Sequence, residues 1–319
     1  MLDGDDLVHL VGDAKVIRDG LDAAPLSPPQ KDRFKIVATT QVIAMDEPPV
    51  EAIRNKPDSS IAVMCKLAAK GGADAVISAG NTGACVAAAQ LRMRLLAGVS
   101  RPGIAVILPT FHGPVVICDV GANIAPKPMH LEQYAIMAGA YAGAVCGISN
   151  PRVGLLNIGE EDAKGTEMVK EARKLMRDEP LINFIGNVEG RDLFKGVVDV
   201  VVCDGFVGNI VLKFTEGMAD GLFQTIAAEL QQAAPNLVGQ FKPVMEKIYA
   251  NHDWQEYGGA PLLGIDGYCL ICHGGSEARA IKNAIRVAKQ LVASKINQKI
   301  VQMIKSTNPG EEPQPGAAE

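Results

Sequence analysis

Aromatic residues are scarce: Phe, Trp and Tyr make up 4% of the 319 residues, and there is one Trp. The core must therefore be built from Ala, Val, Ile and Leu. No Lys/Arg run is long enough to read as a nucleic-acid footprint, and the formal net charge is −5. Both disfavour a broad DNA- or RNA-binding role. No apolar run reaches the roughly 18 residues that a membrane-spanning helix needs. The opening residues, MLDGDDLVHLVGD, lack the basic-then-apolar pattern of a signal peptide. The seven cysteines are odd in number and lie mostly in apolar runs. They read as reduced, buried thiols rather than a disulfide framework, which points to the cytoplasm. The five histidines are scattered, none at metal-ligand spacing. No phosphate-loop consensus and no Gly-x-Gly-x-x-Gly after a first strand is present, so a nucleotide cofactor is not indicated. No other cofactor is expected.

Glycine, by contrast, is abundant, with 33 residues. Short β-branched runs end in Gly, Asn or Asp at residues 7–11, 75–78, 115–119, 153–158, 182–186, 198–204 and 268–272. Near-continuous apolar runs of this kind suit strands covered on both faces. Helical patterns lie between them, at 59–70, 81–97, 129–146, 164–177, 207–232 and 276–304. This alternation predicts an α/β fold with a mostly parallel sheet. A chain of this length buries roughly three quarters of its unfolded surface. The expected organisation is a single domain over residues 1–305 with a disordered, Pro/Gly/Glu-rich tail from Ser306.

In an open α/β sheet, ligands sit beyond the carboxyl ends of the strands. Four Gly-rich polar loops fall at such ends. The first is Ser78-Ala79-Gly80-Asn81-Thr82-Gly83. Its helix start offers N–H groups to an anion, while Asn81 or Thr82 can equally serve as a helix cap. The second runs from Asp119 through Gly121 and Asn123 to Lys127 and His130. It suits phosphate or amide recognition, or an Asx turn beside a solvated Lys and a surface His. The third, Asn157 to Glu167, sets Lys164 among Glu160, Glu161 and Asp162. The carboxylates fit the start of a helix. Lys164 does not, and a point charge there suits phosphate or a developing oxyanion. The fourth is Asp204-Gly205-Phe206-Val207-Gly208-Asn209, where Asn209 donates from a first helical turn or caps the helix.

Two other features need separate treatment. Cys269-Leu270-Ile271-Cys272-His273 matches a haem-attachment pattern but lies in an apolar strand-like run. It reads as structure, with His273-Gly274-Gly275-Ser276 as a fifth strand-to-helix loop. Leu237, Val238, Phe241, Val244, Met245 and Ile248 form an apolar helical stripe interrupted at Pro243. Packing in the core or a dimer is the favoured role for this stripe, ahead of contact with a bilayer or carrier protein.

Taken together, the loops resemble the PlsX family, acyl-[acyl-carrier-protein]:phosphate acyltransferases of bacterial phospholipid synthesis. The resemblance rests on SAGNTGA (78–84), DVGAN (119–123) with KP and HL (127–131), and NPRVGLLNIGEE (150–161) with KG (164–165). INFIGNVEGRD (182–192), DGFVGN (204–209), and YGGAPLLG (257–264) with HGGS (273–276) complete the set, all in one order. It implies a three-layer α/β/α sandwich similar to isocitrate and isopropylmalate dehydrogenases, working as a homodimer. It also implies transfer of a fatty acyl group from acyl carrier protein to inorganic phosphate, with peripheral membrane association. Under this resemblance Lys164 and Asn209 are the catalytic candidates. Ser78, Gly80, Asn81 and Thr82 would line the phosphate site, with Asp119, Asn123 and Lys127 nearby. Glu161, Asp204 and His273 complete the candidate binding set. The family's opening strand and D-x-M-G-G-D-like loop have no counterpart before Leu7, so the first βα unit is expected to be missing. Two further readings stand beside this one. One is a non-catalytic member that docks carrier protein or membrane. The other is a short-chain enzyme using acyl-coenzyme A.

Overall fold

The computed structural model describes residues 5–252 and 258–307. In chain order the first elements are β1 (Val8–Gly12), α1 (Ala14–Ala23), α2 (Pro28–Lys31), β2 (Phe34–Ala38), α3 (Pro49–Asn55), α4 (Ser60–Ala69), β3 (Ala75–Ser78) and α5 (Thr82–Arg92). Next come β4 (Gly103–Thr110), β5 (Gly113–Cys118), α6 (Pro128–Tyr141), a π-helical turn (Ala142–Cys146), β6 (Val153–Leu156), α7 (Glu167–Asp178), β7 (Phe184–Val188) and β8 (Val200–Val202). The last are α8 (Gly205–Ala233), α9 (Val238–His252), β9 (Ala260–Leu263), β10 (Tyr268–Ile271), α10 (Ala278–Ser294) and α11 (Ile296–Thr307).

These elements form two compact units, Met1–Leu96 with Gly258–Asn297, and Ala97–Tyr257 with Gln298–Glu319. In the first, strand order is β3-β10-β9, and β1 pairs with β2 separately. β10 runs parallel to β3 and antiparallel to β9. Its core is aliphatic: Ile53, Ile61, Ala84, Ala88, Leu270, Val287 and Leu291 are all buried. In α5 the run Ala84–Ala89 is buried throughout, and small side chains allow that closeness. A Cβ on Gly83 would lie 2.5 Å from Pro49 Cγ, so Gly lets α3 and α5 touch.

The second unit has strand order β4-β5-β8-β6-β7. β4 and β5 form an antiparallel hairpin, and β5, β8, β6 and β7 are parallel neighbours. Their carboxyl ends therefore open on one edge. Consecutive residues of β5 and β8 are buried, so these strands are covered on both faces. Val200, Val201 and Val202 favour the pleated conformation through β-branching. Leu131, Tyr134, Met137 and Tyr141 of α6 bury a continuous face, and α6 packs on β5 and β8. Arg152 and Asp199 tie the starts of β6 and β8. Arg152 donates from Nε (2.9 Å) and Nη2 (2.8 Å) to the Asp199 carboxylate. That pairing holds Asp199 below the ordinary carboxylate range.

The fold is α/β with mostly parallel pairing, as the sequence predicts. Several local expectations change. Strands β2, β4 and β9 are additional to the predicted set. The pattern 276–304 is two helices, α10 and α11, because Lys295 between them takes a left-handed conformation (φ 52°). Helix α9 continues through Pro243. Its Phe241, Val244 and Ile248 are exposed, so the stripe does not pack in the core of this chain. Helix α11 includes Ser306 and Thr307, and the rest of the predicted tail lies outside the described residues.

Candidate active site

In the second unit the site is built around Asp119, at the carboxyl end of β5. Its side chain is fully buried. Oδ1 accepts N–H bonds from Ile104 (2.9 Å), Gly121 (3.1 Å) and Ala122 (3.0 Å), and Oδ2 accepts one from Asn123 (2.7 Å). Burial pushes this carboxyl up, while the four N–H donors pull it down. Asp119 is thus a loop organiser, with its lone pairs committed to backbone. Asn123 is committed too. Its Nδ2 donates to Pro102 O (2.6 Å) and Tyr134 Oη (2.7 Å).

The start of α8 lies directly on this loop. Gly205 N–H donates to Asn123 O at 2.8 Å. A Cβ on Gly208 would stand 1.9 Å from Asp119 O, so only glycine permits the approach. Asp204 caps α8, accepting Val207 N–H at 2.8 Å. The cap is therefore Asp204 and not Asn209. Asn209 is exposed, and a Cβ on Gly121 would lie 3.9 Å from its Cγ.

The Lys164 loop leaves β6, the strand beside β8. Asn157 closes its base by donating from Nδ2 to Lys164 O at 3.1 Å. Within the loop, a Cβ on Gly159 would meet Glu161 Oε2 at 2.7 Å and Lys164 Cγ at 3.0 Å. Glu161 and Lys164 are thereby brought together over a bare backbone. Among the described residues, neither the Lys164 ammonium nor the Asn209 amide makes a hydrogen bond to protein. The acidic residues do not start a helix: α7 begins at Glu167, capped by Thr166. Asp162 instead pairs with Arg173 and Arg177 of α7.

Lys127 is exposed and precedes α6. Its backbone N–H donates to His130 Nδ1 at 3.0 Å, so the neutral ring carries its proton on Nε2. His130 is buried, not a surface residue as its position suggests. Burial lowers its pKa, and the charges of Arg101 and Lys127 lower it further. Arg101 is a basic neighbour of this loop that sequence reasoning missed, because no motif marks it. The His130 shift has a testable sign. A depressed histidine contributes stability that is complete above the unfolded value near 6.5 and lost as pH falls through the folded value. Protonation would also set an Nδ1–H against the Lys127 N–H. The wild type is expected to lose more thermal stability between pH 7 and pH 5 than His130→Leu, measured by calorimetry.

The remaining candidates belong to the first unit. Asn81 caps α5, accepting Ala84 N–H at 2.9 Å, and donates from Nδ2 to the carbonyls of Ala44, Met45 and Glu47. Its role here is to pin the 44–47 segment to the helix start. Ser78 is buried and accepts Gly80 N–H at 3.2 Å. Thr82 is exposed at the first residue of α5. Cys272 N–H donates to Ser78 O at 2.7 Å, which places the His273 loop beside the Ser78 loop. His273 Nδ1 accepts Gly275 N–H at 3.1 Å. The seven cysteines are free. Burial pushes the Cys272 thiol up to about 11, which keeps it a neutral packing group.

Residues 4–299 match the family described as fatty acid synthesis protein. The chain belongs to this family. It is 50% identical over 283 residues to a phosphate acyltransferase of Heliobacterium modesticaldum, covering 88% of this chain and 83% of that one. It is 44% identical over 299 residues to a phosphate acyltransferase of Nitratidesulfovibrio vulgaris, covering 93% and 86%. As a member of the fatty acid synthesis protein family, the chain is an enzyme of the acyltransferase class. Its fold is similar to a phosphotransacetylase from Streptococcus pyogenes, with TM-score 0.55, 16% identity and coverage of 92% and 85%. It is also similar to a branched-chain phosphotransacylase from Enterococcus faecalis V583, with TM-score 0.52, 13% identity and coverage of 90% and 99%.

Proposed function

We propose that this chain transfers a fatty acyl group from the thioester of an acyl carrier protein to inorganic phosphate, supplying acyl phosphate for phospholipid synthesis. The observation that carries the reading is Lys164. It is a cation without a protein partner among the described residues. It stands on a closed loop at the carboxyl end of β6 in a chain whose relatives are phosphate acyltransferases. A phosphate oxygen attacks the thioester carbonyl carbon, the carbonyl oxygen takes up negative charge, and the C–S bond breaks to release thiol. Phosphate is already a nucleophile, so no covalent enzyme intermediate is needed. Positioning and charge stabilisation supply most of the barrier reduction. Lys164 stabilises phosphate or the developing oxyanion, and Asn209 donates from its amide. Lys127 and Glu161, and in the first unit Ser78, Gly80, Thr82 and His273, are the further substrate-binding candidates. Asp119 and Asn123 order the loop that leads to Lys127, Asp204 caps α8 and Asn81 caps α5.

A homodimer with peripheral membrane contact and a cytoplasmic location belongs to the same reading. Supporting it, Met218 and Leu222 in the middle of α8 are exposed, as are Phe241, Val244 and Ile248 of α9. Among the described residues no helix is long and apolar enough to cross a membrane.

The test is to supply palmitoyl-carrier protein, palmitoyl-coenzyme A and acetyl-coenzyme A in parallel with phosphate, trapping acyl phosphate as the hydroxamate. Phosphate-dependent product is expected from the carrier-protein donor in preference to the others. Preference for acetyl-coenzyme A would favour the short-chain enzyme. No product from any donor would favour a docking role without turnover.

A further inference from the structure

Residues 182–192 carry none of the candidate groups. They form β7, the strand that ends the sheet beside β6, and its carboxyl end holds the Lys164 loop at two points. Val188 O accepts Asn157 N–H at 2.8 Å, where the loop leaves β6. Asn187 Nδ2 donates to Glu161 O at 3.1 Å. The same carbonyl accepts Lys164 N–H, also at 3.1 Å. Glu161 O thus joins the turn that presents Lys164 to a side chain of the sheet. The next residue, Asp162, is paired with Arg173 and Arg177 of α7. Without the Asn187 bond the turn keeps its internal closure but loses this tie to β7.

The amide is not there for the stability of the strand. Asn187 is buried, 7% exposed, so an amide end left without a partner loses its solvation for nothing. The Glu161 carbonyl fixes which end faces the loop, because only the NH2 can donate to it. Oδ1 therefore faces away, and among the described residues it has no partner. A Leu of similar volume would fill the position without that penalty. We infer that Asn187 is a positioning residue for Lys164: it fixes the Glu161–Lys164 turn against the sheet, and so fixes where the ammonium meets its substrate. The inference rests on the acyl-transfer reading given above. A displacement of about 1 Å at a reacting group can cost roughly 10²-fold in rate, so a tie to the sheet matters even for an exposed cation.

The variants are Asn187→Leu and Asn187→Ala. Leu keeps the volume, so the test stands even where Ala leaves a cavity and weakens the fold. The melting temperature of Asn187→Leu is expected to equal or exceed that of the wild type. Its kcat/KM for phosphate, with palmitoyl-carrier protein as donor, is expected to fall about tenfold, with KM for the donor unchanged. The same substitution made on Lys164→Ala is expected to lower kcat/KM by less than a further twofold, because a residue acting through Lys164 has nothing left to position. A loss of the same proportion with and without Lys164 would overturn the inference and leave Asn187 a packing group, whatever the melting temperature. Near-wild-type kcat/KM in Asn187→Leu would overturn it as well. Should the wild type form no acyl phosphate, the acyl-transfer reading falls and amide hydrogen exchange decides the positioning. Exchange at the Lys164 N–H roughly fivefold faster in Asn187→Leu, the factor that one hydrogen bond supplies, supports the tie, and equal exchange rejects it.

Discussion

Lys164→Ala is expected to lower phosphate-dependent acyl transfer by roughly 10²-fold or more, the size seen when one oxyanion donor is removed. The fold should not change. Lys164 is exposed, and among the described residues its ammonium holds no protein group. A substitution of that kind shifts stability by about 0.5 kcal/mol or less. What Ala removes is a charge carried on a rigid base. Asn157 fixes the backbone at Lys164, and Gly159 lets the lysine stem lie over the loop. The conservative variant separates charge from shape. Lys164→Arg keeps the cation but replaces a compact ammonium with a planar fork, so it should recover only part of the rate. Steady-state formation of hydroxamate from trapped acyl phosphate, at several phosphate concentrations, checks both. A loss confined to KM for phosphate would assign Lys164 to ground-state binding. A loss in kcat would assign it to the oxyanion. Near-normal turnover in Lys164→Ala would remove it from the chemistry.

The fold and the geometry of the candidate loops were legible to different depths. The alternation of Val-rich runs with helical patterns gave the α/β class, because buried parallel strands need continuous apolar sequence. β4 went unread although Gly103–Thr110 is apolar. Its role as the partner of β5 depends on a hairpin closed at Thr110, whose Oγ1 donates to Gly113 O and accepts His112 N–H. The break between α10 and α11 carries no Gly or Pro. Lys295 takes the left-handed conformation there, so the amphipathic pattern runs on through it. In the loops, polar residue types marked the candidates without separating cap from ligand group. Asn81, Asp119, Asn123 and Asp204 proved to be spent on backbone or on Tyr134. Residue identity alone cannot show whether an Asn or Asp faces inward to a backbone N–H or outward to solvent. The burial of His130 and the nearness of Arg101 to it were not legible for the complementary reason: both depend on packing between segments about 30 residues apart.

The committed groups lead to the second large effect, since a site this dependent on backbone N–H donors depends on the acceptor that orders them. Asp119→Ala is expected to destabilise the protein by about 4 kcal/mol, the order of cost for leaving several buried donors without partners. Four N–H groups, of Ile104, Gly121, Ala122 and Asn123, lose their acceptor at once. Transfer activity should fall with stability, because Gly208 and hence Asn209 are seated against the Asp119 backbone. Asp119→Asn should be milder, costing about 1–2 kcal/mol. The amide keeps one carbonyl acceptor but turns an NH2 toward donors that also need to donate. Against that loss, it removes the burial cost of a charge, the same cost that raises the Asp119 pKa. Urea titration at pH 7 of the wild type and both variants gives the order, with midpoints falling from wild type to Asn to Ala. A midpoint for Asp119→Ala equal to the wild type would mean that the four N–H groups find other partners, and Asp119 would then not be what holds the 119–123 loop.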